Sequence, residues 1–219
     1  MEFKRIAKFE KVSYEQFKTG FDNESEEVIK ALYDEIKLPK RATKGSAGYD
    51  FFAPFDIVLE PGKTIKVPTG IRAKMEDNYV LKLYPRSGLG FKYRLQLNNT
   101  VGIIDSDYYY SDNEGHIFAK ITNDSNENKT LEVKQGTGFM QGIFVEYGIT
   151  IDDDATETRN GGFGSTQHRL YRPAGHRAGE NGRRQRPLPR VPPWRTPQAA
   201  RSRDGSDRTC VPRGSCPLD

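Results

Sequence analysis

Apolar positions in this chain recur at two different spacings, and the change between them divides its first half. Phe3, Ile6, Phe9 and Val12 alternate loosely, which predicts a first strand over 3–12. Ser13-Tyr14-Glu15-Gln16-Phe17 opens a short helix with Ser13 as its cap. A clearer helix is predicted from about Ser25 to Ile36. Ser25 followed by Glu26 and Glu27 suits an N-terminus, and Val28, Leu32, Tyr33 and Ile36 fall at helical spacing. Pro39 stops it, and its role is packing, against the domain or a neighbouring subunit. From Ala47 to Val145 the pattern becomes short strands, at 48–53, 56–59, 64–73, 79–85, 95–104, 115–122, 129–133 and 138–146. Turn residues separate them: Glu60-Pro61-Gly62-Lys63, Glu76-Asp77-Asn78 and the polar run 123–128. One helix near so many strands argues against a parallel α/β sheet. The expected fold is mainly β, a jelly-roll-like antiparallel barrel or sandwich with short N-terminal helices.

The run Asn99-Thr100-Val101-Gly102-Ile103-Ile104 reads as strand and ends in Asp105-Ser106-Asp107-Tyr108. Alternation sends Ile104 inward and aims Asp105 at the rim, where a strand becomes a turn. Short polar side chains also start turns by bonding their own backbone, so the local pattern alone leaves Asp105 with two readings. Further on, Asp152-Asp153-Asp154 precedes Arg159-Asn160-Gly161-Gly162-Phe163-Gly164-Ser165-Thr166. Three glycines around one Phe resist strand and helix alike, so a segment that orders on binding is expected.

Composition adds a second boundary. The net charge of +4 conceals a split: residues 167–219 hold 12 Arg, no Lys and 4 acidic residues, a net of +8, leaving −4 on residues 1–166. All 12 Phe lie before Thr166 and 8 of the 13 Pro lie after it, so the tail has little with which to build a core and is expected to be disordered. Both cysteines, Cys210 and Cys216, fall there too, so no disulfide or Cys-based zinc site supports the main domain. The N-terminus lacks an apolar signal region and no stretch approaches membrane-spanning length, which predicts a cytoplasmic protein. The expected organisation is an N-terminal strand and helices over 1–37, a β-barrel over 38–150, a mobile Gly-rich motif over 151–166 and the tail over 167–219.

Four further stretches carry candidate chemistry. Tyr84-Pro85-Arg86-Ser87-Gly88-Leu89-Gly90 offers a fixed cation, a hydroxyl and a Gly-bounded turn suited to phosphate oxygens. Gly136-Thr137-Gly138-Phe139-Met140-Gln141 places one polar side chain at a strand entry. At the Gly-rich end, a planar base covered by Phe163, with phosphates held by Arg159, Ser165 and Thr166, would use each element. Asp50, inside the apolar run Gly48-Tyr49-Asp50-Phe51-Phe52, has to meet a cation or hydrogen-bond donors. Arg86 is one candidate partner and a metal-bound water is another.

Taken in order, these motifs resemble the trimeric dUTPase (dUTP pyrophosphatase) family. The resemblance rests on Ala47-Gly48-Tyr49-Asp50, Pro85-Arg86-Ser87-Gly88, Gly102 through Tyr108, Gly136 through Gln141, and Arg159 with Gly161 through Thr166. It covers about residues 38–166. It implies a homotrimer of jelly-roll subunits with shared sites, hydrolysing dUTP to dUMP and pyrophosphate. By position, Asp105 resembles the general base that activates water for attack on the α-phosphorus, and Tyr108 the ring under the deoxyribose that excludes a 2′-hydroxyl. Asn99, with the backbone around Gly102 and Ile104, resembles the uracil readers. Arg86, Ser87 and Gly88 match the phosphate-contacting motif, Gln141 the β-phosphate contact and Arg159 the γ-phosphate clamp. Phe163 resembles the lid ring over uracil, with Gly164, Ser165 and Thr166 beside the phosphates. The resemblance also implies Mg²⁺ held by the triphosphate and waters, without direct protein ligands, with Asp50 in its outer shell.

The chain departs from the family pattern in two places. Tyr109-Tyr110-Ser111-Asp112-Asn113-Glu114 lengthens the connection after Tyr108, as a hairpin extension or as a surface for a regulatory protein partner. Where the family motif continues with Gly, Gln167 opens the Arg/Pro-rich tail, whose composition suggests a frameshift, read-through or fusion. A basic segment binding nucleic acid without sequence specificity is the other reading. Two alternatives to the hydrolase remain: a nucleotide-gated regulatory module on the same fold, and an enzyme related to dCTP deaminases. Neither a membrane nor a specific nucleic acid is an expected partner.

Overall fold

The computed structural model describes residues 3–157 and Arg159. Strand β1 (Ala7–Lys11) pairs antiparallel with β6 (Ile71–Met75). The two predicted helices follow as α1 (Tyr14–Lys18) and α2 (Glu26–Asp34). Each has its serine cap: Ser13 Oγ accepts from Gln16 N and Ser25 Oγ from Val28 N. They bury Phe17 and Ile29, and Tyr33 donates to the Val12 carbonyl (2.7 Å), which ties α2 to the end of β1.

A five-stranded antiparallel sheet forms one layer, with β12 (Gly138–Glu146) flanked by β3 (Tyr49–Phe52) and β7 (Tyr79–Pro85). The short β2 (Lys40–Arg41) extends it beyond β3, and β9 (Gly102–Ile104) beyond β7. A second sheet holds β5 (Thr64–Pro68), β10 (Phe118–Asn123) and β8 (Leu95–Leu97). The remaining pair is β4 (Ile57–Leu59) with β11 (Leu131–Val133). Strand alternation fills the space between with Phe51, Ile57, Val67, Leu81, Ile121, Leu131 and Phe139, all buried. The architecture is the mainly-β antiparallel one expected. Among the described residues no helix is long and apolar enough to cross a membrane.

Three local expectations are corrected. The predicted strand 64–73 is two strands in different sheets, because Gly70 takes φ +70° and the chain turns there. The predicted strand 95–104 is likewise β8 and β9, separated by a turn in which Thr100 N donates to Leu97 O and Thr100 takes φ +65°. Asn99 lies in that turn. The Gly-bounded turn after Arg86 is a helix, α3 (Ser87–Tyr93). Its two glycines weaken it by about 1 kcal/mol each, but Tyr93 is buried and Leu89 packs against the core, so tertiary packing outweighs propensity.

Candidate active site

Pairing of β9 with β7 sets Ile104 opposite Leu81 and Gly102 opposite Leu83. Ile104 is buried and Ile103 exposed, so Asp105 emerges where the strand ends. Its backbone begins a 3₁₀ turn over Ser106–Tyr110, with Tyr108 N donating to Asp105 O (3.2 Å). One turn returns the chain beneath itself, so the Tyr108 side chain is carried inward and is only 4% exposed. Burial pushes its phenol above the usual tyrosine range, against a bond from Asn113 and the charge of Arg159, and keeps it neutral.

Asp105 and Tyr108 share a cleft of about 330 Å³ with Asn99, Gly102, Ile104 and Arg159. Leu83, Leu97 and Met140 make part of its wall apolar. Such a space suits a planar ring and a sugar, with a carboxylate at the lip. The Arg159 guanidinium bridges two acids there: Nε donates to Asp107 Oδ1 (2.9 Å) and Nη2 pairs with Asp105 Oδ2. Asp107, which the sequence suggested only as a turn residue, is therefore half of a carboxylate pair. Only the order Asp-Ser-Asp hinted at it.

The phosphate candidates form a second group around β12. Register sets Gln141 beside Asp50 on one side and Tyr84 on the other. Arg86 Nε lies 3.3 Å from Asp50 Oδ1 and its Nη1 donates to Gly138 O (3.3 Å). Asp50 has the cation its setting demanded. Ser87 and Gly88 begin α3 and are exposed, while Gln141 is half-buried with its amide 3.4 Å from Pro85 O. The cleft walls contain none of Asp50, Arg86, Ser87 or Gln141. One chain thus brings together Asn99, Gly102, Ile104, Asp105, Tyr108 and Arg159, and separately Asp50, Arg86, Ser87, Gly88 and Gln141. Phe163, Gly164, Ser165, Thr166 and the tail lie outside the described residues. Among those described, no three His, Cys, Asp or Glu side chains converge as a metal cage.

The connection 109–114 folds inward. Tyr109 donates to Glu10 Oε2 (2.5 Å) and lies under the Arg72 guanidinium, 4.5 Å from its ring centre. The Glu114 carboxylate accepts from Ser13 N (2.7 Å) and Ser13 Oγ (2.5 Å). Ser111 is buried, and Tyr110 and Asp112 remain exposed.

The family model described as dUTPase matches residues 34–167. A deoxyuridine 5'-triphosphate nucleotidohydrolase of Lactococcus lactis subsp. lactis (strain IL1403) is 42% identical over 134 residues, 60% of this chain and 88% of that protein. One from Escherichia coli O45:K1 is 40% identical over 138 residues, 59% of this chain and 87% of its own. The crystal structure of dUTPase from Streptococcus mutans superposes with a TM-score of 0.50 at 34% identity, covering 66% of this chain and 98% of that one.

Proposed function

The chain belongs to the dUTPase family and is a dUTP diphosphatase, and from that premise we propose that Asp105 is the general base of the hydrolysis. The carboxylate takes a proton from a water whose oxygen attacks the α-phosphorus. The bond to the bridging oxygen breaks, and pyrophosphate leaves with the electron pair. The observation that carries this reading is the position of Asp105, half-exposed at the lip of a cleft that Tyr108 also lines. The Tyr108 ring meets the deoxyribose and leaves no room for a 2′-hydroxyl. Asn99 and the backbone of Gly102 and Ile104 read uracil.

Arg86, Ser87, Gly88 and Gln141 take the phosphates, and Arg159 the γ-phosphate. Arg159 exchanges its two carboxylates for the triphosphate, which frees Asp105 when substrate is present. Phe163, Gly164, Ser165 and Thr166 close over the nucleotide and exclude water. The separation of the candidates into two groups on one chain supports a homotrimer in which subunits share sites. The donor set suits Mg²⁺ carried by the triphosphate, because Asp50 is the carboxylate of the phosphate group and stands ready for an outer-shell water. Carried by the triphosphate, Mg²⁺ would supply charge neutralisation and polarisation of the α-phosphorus. The enzyme works in the cytoplasm, and a regulatory protein partner, if the 109–114 connection takes one, would meet Tyr110 and Asp112.

The test is Asp105→Asn. Turnover of dUTP should fall by about 10²-fold or more, the contribution of a positioned base, while calorimetry finds dUTP binding largely intact. Turnover near the parent level would remove Asp105 from this role. Ammonia release from dCTP would instead point to deaminase chemistry.

A further inference from the structure

Tyr108 is held at both ends, and its outer end is held by a residue that the reaction itself does not call for. The phenol oxygen lies 2.8 Å from the His116 carbonyl and 2.8 Å from Asn113 Nδ2. A carbonyl can only accept, so the single hydroxyl proton goes to His116 O and the phenol oxygen accepts from the Asn113 amide. That orientation of the amide is set independently, because Asn113 Oδ1 accepts from Gly115 N (3.2 Å). We propose that Asn113 is a positioning residue for sugar selectivity, fixing how far the Tyr108 ring stands from the nucleotide.

The brace is itself rigid. His116 N donates to Asn113 O (3.0 Å) and Glu114 N to Ser111 O (2.8 Å), closing the connection on itself. Gly115 takes φ +69°, and a Cβ there would stand 2.7 Å from Tyr109 Cα, so the return path has room only for glycine. Ser13 clamps the Glu114 carboxylate from the N-terminal segment, and Glu10 holds the Tyr109 hydroxyl. Exclusion of one extra oxygen is a steric test, and a wall tests size only if it does not yield. With Asn113 absent, the phenol oxygen loses one of the bonds that hold it and the ring can shift relative to the cleft.

The inference rests on the reading of Tyr108 as the surface that meets deoxyribose. The full chain with Mg²⁺ is assayed for kcat/KM on dUTP and on UTP, alongside Asn113→Ala, Tyr108→Phe, the double variant and Tyr108→Ala. Loss of the Asn113 bond predicts a drop of roughly tenfold in the dUTP-to-UTP ratio for Asn113→Ala, and at least as large a drop for Tyr108→Phe, which also loses the bond to His116 O. The double variant should fall no further than Tyr108→Phe alone, since that change already removes the Asn113 contact. A parent-like ratio in Asn113→Ala, or additive losses in the double variant, overturns the inference. If Asn113→Ala does not fold, Tyr108→Phe decides: it removes the same bond from the other side, and an unchanged ratio overturns the inference. An unchanged ratio in Tyr108→Ala would instead overturn the reading of Tyr108 as the sugar wall.

Discussion

His116 shows how one buried side chain ties folding to pH. It is fully buried, accepts the Gly70 N–H at Nε2 (2.9 Å), meets the Gln16 amide at Nδ1 (3.4 Å) and packs on the Phe118 ring. Burial, helped by the charge of Lys66 and opposed by that of Glu114, pushes its pKa down from 6.5 to about 4. The unfolded chain takes up that proton near pH 6.5 and the folded one only near 4, so the unfolded state gains as pH falls between them. Its contribution is complete above pH 6.5 and is lost on the way down to about 4. Between pH 6.5 and 5 the loss is about 2 kcal/mol. Urea unfolding at both pH values should show the parent losing that much more than His116→Gln. At the same scale, the Asp50–Arg86 pair was legible beforehand, because a carboxylate in an apolar strand needs a cation. The Arg159 bridge to Asp105 and Asp107 was not, since either acid satisfies a turn equally well.

At the scale of elements, two glycines give opposite expectations. Gly70 marks the point where β5 leaves one sheet and β6 enters another, and Pro68-Thr69-Gly70 was a turn signal inside an otherwise continuous strand pattern. A Cβ at Gly70 would stand 2.4 Å from Ile36 Cδ1 and 3.1 Å from Phe17, on a backbone that disfavours L side chains. Gly70→Ala should destabilise by about 2–4 kcal/mol, read as a lowered melting temperature. Gly90, inside α3, has nothing within 4 Å of an added Cβ. Gly90→Ala should stabilise by about 0.5–1 kcal/mol and raise the melting temperature by a few degrees at most. The strands β7 and β12 match the predicted spans 79–85 and 138–146 because each is a short apolar run opened by a turn signal, Glu76-Asp77-Asn78 before one and Gly136-Thr137 before the other. The helix α3 was hidden by its glycines and by its shortness, seven residues being too few for a period to show.

At the scale of the whole molecule, the charge divides the chain: residues 1–166 carry net −4 and the 53 residues after them net +8. The dUTPase match ends at residue 167, where the composition changes. A chain ending at Thr166 should therefore release pyrophosphate from dUTP at least as fast as the full chain, and a marked loss on truncation would assign the tail a role. Sedimentation of the same two chains should give three times the protomer mass if subunits share sites. Local spacing by itself determined the strand faces, the serine caps of α1 and α2 and the placement of Asp105 at a strand end. Each depends on residues two to four positions apart, which a single sequence displays directly. Only the tertiary structure decided that Arg159 meets Asp105 across 54 positions and that Asn113 meets Tyr108, and of the two partners open to Asp50 it selected Arg86. Antiparallel register and side-chain orientation bring these together. Neither leaves a local trace: Arg159 lies far along the chain from Asp105, and Asn113, close to Tyr108 in sequence, meets its hydroxyl only because the 109–114 connection folds back.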